Sequence, residues 1–345
     1  ESYANKLFPD GVDAGDNDIP MAISNTKKLM SAKTKTIYQP TVTGKNLFCR
    51  ADVIHFNSKN NTWDIYEIKN STEVKKIHLD DVAFQKMAFE EAGCAIGKTY
   101  LVHINNAYVR KGELDLKKLF TVEDISQDVN TPERIIKKQA KSAFDTLKLK
   151  EEPSVRILKQ CGSPFDCAFV DYCRKDIPEN SIYSIAGGLS EAKLNRLLDE
   201  GILEIKDIPE GVITSARGLR HYRAVKTRQV HIEKENIKKE LENLKYPLYF
   251  LDYETNAPAI PMFDGYKPYQ RMTFQYSLHI KESENSKLKH FEYLARDFEN
   301  PSPKLAESLS KIIGSKGSVI AWNKIFEKGC NKEMAERYPK YAKFL

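Results

Sequence analysis

Leu47-Phe-Cys-Arg-Ala-Asp52-Val-Ile-His-Phe56, the polar stretch Asn57-Ser-Lys-Asn-Asn61, and Trp63-Asp-Ile-Tyr-Glu67-Ile-Lys69 read together as one hairpin. Both arms are rich in β-branched, aromatic and aliphatic residues, and the link between them is made of turn formers. Side chains alternate along a strand, so Glu67 and Lys69 project from one face. With the arms paired, Asp52 meets them on that face. Two carboxylates and a lysine at a sheet edge suit a hard divalent cation such as Mg²⁺. Such an ion would polarise a phosphate and acidify a bound water, while the lysine stabilises developing negative charge. Outward from the hairpin, Thr36 to Val42 reads as a preceding strand. His78 to Ala92 reads as a helix carrying Gln85, with Val82, Phe84, Met87 and Ala88 toward the sheet. After a break at Gly97, Lys98 to Asn105 reads as another strand.

This arrangement resembles the PD-(D/E)XK nuclease superfamily, in particular its RecB-like and CRISPR-associated exonuclease branch. Asp52, the Glu67-Ile68-Lys69 triplet, and Gln85 with Phe89 carry the resemblance. The family places Tyr where this chain has Phe89. It often has a metal-binding His upstream, and no histidine occurs here between Glu1 and Ile54. The resemblance implies a restriction-endonuclease-like fold, whose β-β-β-α-β core matches the order above. It implies that Asp52 and Glu67 bind Mg²⁺ or Mn²⁺, with the Ile68 carbonyl as a further ligand. Lys69 would orient or activate the attacking water, and Gln85 would hold substrate or the lysine. The rival reading is a surface hairpin with scattered charges. E-x-K alone is a common triplet, and the upstream Asp and the downstream Gln helix set this one apart. His103 reads as a structural histidine, and Lys75 and Lys76 as a solvated pair or as contacts to a substrate backbone.

At 345 residues there is room for two or three domains. No apolar run is long enough to span a membrane and no signal-peptide pattern is visible, which points to the cytoplasm. The net charge of +6 is compatible with nucleic acid without demanding it. The chain opens on Glu1 and ends at Phe344-Leu345, which reads as a fragment of a longer protein.

Cys49, Cys94 and Cys330 are isolated and read as small core residues. Cys161-Gly-Ser-Pro-Phe-Asp-Cys167-Ala-Phe-Val-Asp-Tyr-Cys173 is an evenly spaced group, in a cytosolic protein more often a metal site than a disulfide framework. Its spacing resembles the cysteine triplet that follows the core of iron–sulfur RecB-like nucleases. The resemblance implies a [4Fe–4S] cluster held by these three thiolates and one far upstream. Cys49, beside the active-site strand, is a poor fourth ligand, so that ligand is expected before Glu1. Zinc and three unligated thiols are the alternatives.

Val122 to Lys150 reads as helical and basic, with Lys137, Lys138, Lys141, Lys148 and Lys150. Such a run can follow a phosphate backbone or simply be a solvated face. Ile182 to Pro209 reads as two short helices around Gly201, with Ser190 as an N-cap. The segment faintly resembles helix-hairpin-helix modules, and a plain helical spacer reads as well. Arg217, Arg220, Arg223, Lys226 and Arg228 follow, then a charged helix over 231–244.

A second acidic motif stands at Tyr246-Pro-Leu-Tyr-Phe-Leu-Asp252-Tyr-Glu254-Thr255, a strand with a buried look whose two carboxylates share a face. Carboxylates on an apolar strand are costly unless they meet a cation. Strand-like runs at 274–280 and 288–294, a helix over 303–313, a strand at 318–323 and a helix bearing Phe326 and Glu327 follow. This order resembles the RNase H-like layout, and its residues resemble DEDD (DnaQ-like) exonucleases. Asp252 and Glu254 match the first motif, and Asn323, Phe326 and Glu327 the second, with Glu where Asp is usual. The third motif would lie beyond Leu345. Two ions normally flank the scissile phosphate in that family.

The expectation is an α/β (α+β) protein. A PD-(D/E)XK domain spans 1–150, a cysteine-cluster segment 151–180, a helical spacer 181–245 and a partial RNase H-like domain 246–345. The whole order also resembles a poorly characterised bacterial family that joins these parts. The expected activity is a metal-dependent deoxyribonuclease working as an exonuclease on single-stranded or frayed DNA, with RNA also open. The alternatives are a nucleic-acid-binding scaffold that does not turn over, and a 3′-to-5′ exonuclease acting through the last domain.

Overall fold

The computed structural model describes residues 1–44 and 46–345. The chain is a mixed α/β protein with two compact units, one of Glu1–Leu147 with Leu244–Leu345, the other of Lys148–Asn243. The 1–150 and 246–345 segments thus pack as one unit, and the cysteine-bearing and spacer segments make the other.

The first unit begins with α1 (Ser2–Asn5), β1 (Val12–Asp13) and α2 (Ile19–Ser31), then β2 (Thr36–Tyr38), β3 (Thr41–Gly44), β4 (Leu47–Arg50), β5 (Val53–Asn57) and β6 (Thr62–Lys69). α3 (Lys76–Glu91), β7 (Ile96–Ile104), α4 (Leu116–Leu119), β8 (Phe120–Asp124) and α5 (Asn130–Thr146) follow. A six-stranded sheet runs β1-β2-β5-β6-β7-β8, with β6 antiparallel to β5 and parallel to β7. Parallel neighbours need a long crossover, and α3 supplies it. Its Val82, Ala83, Met87, Ala88 and Phe89 are buried. Phe89 is wholly enclosed with Ile54 and Ile65, so the position that carries a tyrosine in the resembling family serves here as packing.

Two expected strands are each broken in two. Gln39 is left-handed (φ 50°) and Pro40 has no N–H to give a ladder, so Thr36–Val42 bends between β2 and β3. Leu47–Phe56 bends at Ala51-Asp52. The bends lie against each other, with Gln39 N donating to Asp52 O (2.9 Å) and Ala51 N to Pro40 O (3.1 Å). Beyond them β3 and β4 pair as a separate ribbon, one on which Cys49 is buried. Gly97, expected to break the chain, lies inside β7. A Cβ there would stand 2.5 Å from both Asp64 Oδ1 and Thr62 Oγ1, so only glycine lets β7 approach β6. Val122, expected to be helical, is in β8, and the helix begins at Asn130.

The second unit holds α6 (Val170–Arg174), α7 (Glu191–Asp199), α8 (Ala216–Thr227) and α9 (Lys234–Glu242). Ser190 caps α7 by accepting from Lys193 N. Ile182, Ile185, Leu197, Ile205, Ile208 and Ile213 form its core.

Back in the first unit come β9 (Leu248–Asn256), β10 (Met272–Lys281), β11 (Lys289–Leu294), α10 (Ser302–Ser310), β12 (Ser318–Ile320) and α11 (Lys324–Arg337). The sheet order is β11-β10-β9-β12, antiparallel except for β12 beside β9. Tyr249, Leu251 and Tyr253 of β9 face α10 and α11 through Leu305, Leu309, Cys330 and Met334. Among the described residues no helix is long and apolar enough to cross a membrane.

Candidate active site

The hairpin and α3 bring four expected residues together. Asp52 lies in the bend between β4 and β5 rather than on a strand. Its Oδ2 accepts from Ile68 N at 2.8 Å, which holds it against β6 beside Glu67. Glu67 is 6% exposed. Its Oε1 accepts from Lys69 Nζ at 2.7 Å, while its Oε2 is buried without a hydrogen-bond partner. Lys69 Nζ also pairs with Asp81 of α3, and Asp81 accepts from Gln85 Nε2 at 3.2 Å. The Oε1 of Gln85 is buried and unpartnered too.

Burial pushes the Glu67 carboxyl up to about 7, the nearby charge of Asp52 adds to the rise, and Lys69 partly offsets it. Burial also raises Asp52, against the Ile68 N–H that favours its ionised form. For Lys69 burial works downward, but Glu67 and Asp81 outweigh it and hold the ammonium above its ordinary value. Its ammonium is thus held between the two carboxylates.

Sequence reasoning gave Asp81 no role in the site. The signal was there, since Asp81 is four residues before Gln85 and shares its helix face. Gln39 was missed as well; its Nε2 lies 3.5 Å from Asp52 Oδ1, and only the bend places it there. His103 pairs in register with Lys69 but is buried, with Nε2 3.4 Å from Glu123 Oε2. Lys76 is tied to Asp80 at 2.8 Å.

The second acidic group is not gathered. β9 is buried on one face only, and Asp252 and Glu254 lie on the exposed face. The desolvation cost argued from a buried strand is therefore absent. Asn323 caps α11, its Oδ1 accepting from Phe326 N at 3.4 Å. Glu327 is buried on α11, within electrostatic reach of Tyr253, whose side chain points to the opposite face from Asp252 and Glu254.

In the second unit, Cys167 N donates to Cys161 O at 2.9 Å, and both residues line a cavity of about 770 Å³. Cys173 is exposed at the end of α6. Among the described residues, no three His, Cys, Asp or Glu side chains are grouped so as to hold a metal ion. Mg²⁺ needs less, because it keeps several waters and takes one or two carboxylates besides a substrate phosphate. Asp52 and the free oxygen of Glu67 fit that requirement, being hard donors with unused capacity.

No curated protein matches the chain. Residues 249–345, from β9 to the last residue, match a family described as a domain of unknown function (DUF2779).

Proposed function

We propose that the chain is a divalent-metal-dependent nuclease whose working site is Asp52, Glu67, Lys69 and Gln85. One observation carries the reading: a carboxylate oxygen, Glu67 Oε2, is buried and unpartnered beside a second carboxylate and a cationic lysine. A buried acceptor left unmade is costly, and a cation removes that cost. Asp52 and Glu67 would hold Mg²⁺ or Mn²⁺, which when bound polarises the scissile phosphate and acidifies a water. Lys69, fixed between Glu67 and Asp81, stabilises negative charge as it develops and orients the attacking water. Asp81 and Gln85 keep the ammonium in place. The substrate is DNA with a single-stranded end, and the setting is the cytoplasm.

The purified chain with Mn²⁺ and end-labelled single-stranded DNA tests this. Asp52→Ala is expected to lower cutting about 10³-fold, and Asp252→Ala to leave it within about twofold. Equal cutting by wild type and Asp52→Ala would sink the proposal. Loss only in Asp252→Ala would move the activity to the last segment.

On their spacing in the sequence we further propose Cys161, Cys167 and Cys173 as three thiolate ligands of a [4Fe–4S] cluster, with Cys161 and Cys167 opening on one cavity and the exposed Cys173 drawn in as the cluster binds. Protein purified without oxygen is expected to carry iron and acid-labile sulfide, and Cys167→Ser to lose both. Zinc in their place would refute the cluster.

A further inference from the structure

A second cleft of the 148–243 unit has about the same size, 730 Å³, and a different lining. Lys206, Arg220, His221, Arg228 and His231 line it. Glu204, also in the lining, pairs with Lys206 at 2.9 Å; Glu233 lies 3.3 Å from His231 Nε2 and reaches Arg220 only at 3.9 Å. Arg228 has no acidic partner among the described residues, and neither have Arg217 and Arg223 on the adjoining helix α8. His221 Nδ1 accepts from Ala186 N at 3.0 Å, which leaves Nε2 as the protonated nitrogen and a donor.

Arg228 is placed there against its backbone preference. It caps α8 in the left-handed region, φ 54° and ψ 31°, where glycine is the usual residue because a Cβ is strained. A guanidinium without an acidic partner, on a strained backbone in a cleft where basic side chains outnumber the one carboxylate, is open to an anion. Guanidinium forks match phosphate oxygens two at a time.

We propose that this cleft holds the phosphodiester backbone of a single nucleic-acid strand, with Arg220 and Arg228 as the principal phosphate contacts. The choice of ligand rests on the nuclease reading, but the site does no chemistry and is tested without any. Binding of a fluorescent oligothymidylate to the full chain is followed by anisotropy in EDTA over a range of salt. Nothing is cut under these conditions, so failure here is distinct from failure of the nuclease reading.

Each phosphate contact on a single strand contributes about 0.7 to the slope of log affinity against log salt. The double variant Arg220→Ala with Arg228→Gly should flatten that slope by about 1.4. Arg228→Gly alone should weaken binding while its Tm stays equal to wild type or rises, because glycine relieves the strained cap. A loss of affinity caused by damage to the fold would lower Tm instead. Lys316→Ala, which removes an exposed charge in the other unit, should leave the slope unchanged. The proposal is overturned if wild type fails to bind, or if the double variant keeps the wild-type slope. Displacement of the strand by inorganic phosphate at matched ionic strength would assign the cleft to small anions and overturn it equally.

Discussion

Glu67→Gln is expected to lower cutting about 10³-fold and, without metal, to yield a more stable protein than wild type. The two effects have one origin. In wild type a carboxylate is held almost entirely out of water, near Asp52, with one oxygen partnered by Lys69 and the other by nothing. Burial and the like charge both disfavour its ionised form. Glutamine keeps the shape and an acceptor for Lys69, removes the like charge, and leaves Lys69 its partner Asp81. The gain at pH 8 should be on the order of 1–2 kcal/mol, read by urea unfolding in EDTA. Function moves the other way. Loss of a charge arranged for the transition state costs about 10³-fold, or about 4 kcal/mol of barrier. Mn²⁺ gives a readout independent of cutting: it should raise the Tm of wild type, by linkage to the folded state, and not that of Glu67→Gln. A variant less stable than wild type in EDTA, and shifted equally by Mn²⁺, would mean that Glu67 is a structural partner of Lys69 and no more.

Local periodicity made the centre of the site legible. The two-residue repeat on β6 gave Glu67 and Lys69 a common face, and their side chains meet at 2.7 Å. Gln85 was legible through the helix that bears it. Asp52 was found for a reason only half right, because it lies in a bend and reaches β6 through the Ile68 amide rather than by strand alternation. Nothing in an apolar run announces that Ala51-Asp52 faces Gln39-Pro40 across a hairpin and that both must turn together. The acids of β9 show the limit from the other side. Alternation placed Asp252 and Glu254 on one face correctly, but a strand pattern does not say whether that face is covered. Burial was inferred from the apolar neighbours, which belong to the opposite face.

The packing of residues 257–271 was not legible at all. This β9–β10 connection lies on the turn after β7 and on the edge of the first sheet. It has no periodicity, and its partners are about 150 positions away in the chain, as the separations of 151 and 152 between bonded residues record. Ala259, Ile260 and Tyr269 pack against Val102, Ile104, Leu119 and Phe120. Tyr269 donates to Asn70, the residue after Lys69, so the connection also reaches the neighbourhood of the site.

Arg110 is the residue on which that packing turns, and Arg110→Ala should lower the stability of this unit by about 2–3 kcal/mol. Its Nη1 donates to Pro261 O at 3.0 Å and Met262 O at 2.7 Å, and its Nε to Gly112 O at 2.9 Å. Its backbone adds two bonds, to Tyr266 O and from Gly265 N. Those survive the substitution, which is why the connection should loosen and not detach. The side chain is 28% exposed, so its bonds are partly shared with water and the upper range for charged hydrogen bonds does not apply. For a unit of this size the loss corresponds to a fall in Tm of roughly 5–10 °C. Arg110→Lys should recover little, because one ammonium cannot serve three carbonyls spread across a planar fork. Asp264→Ala supplies the contrast. Its carboxylate accepts from Gly112 N at 2.8 Å but is 68% exposed, so its removal should cost less than about 1 kcal/mol. If Arg110→Ala melts within a degree of wild type, or Asp264→Ala costs as much, the two sheets are not held together by this arginine. The contact of Tyr269 with Asn70 would then have no anchored loop behind it.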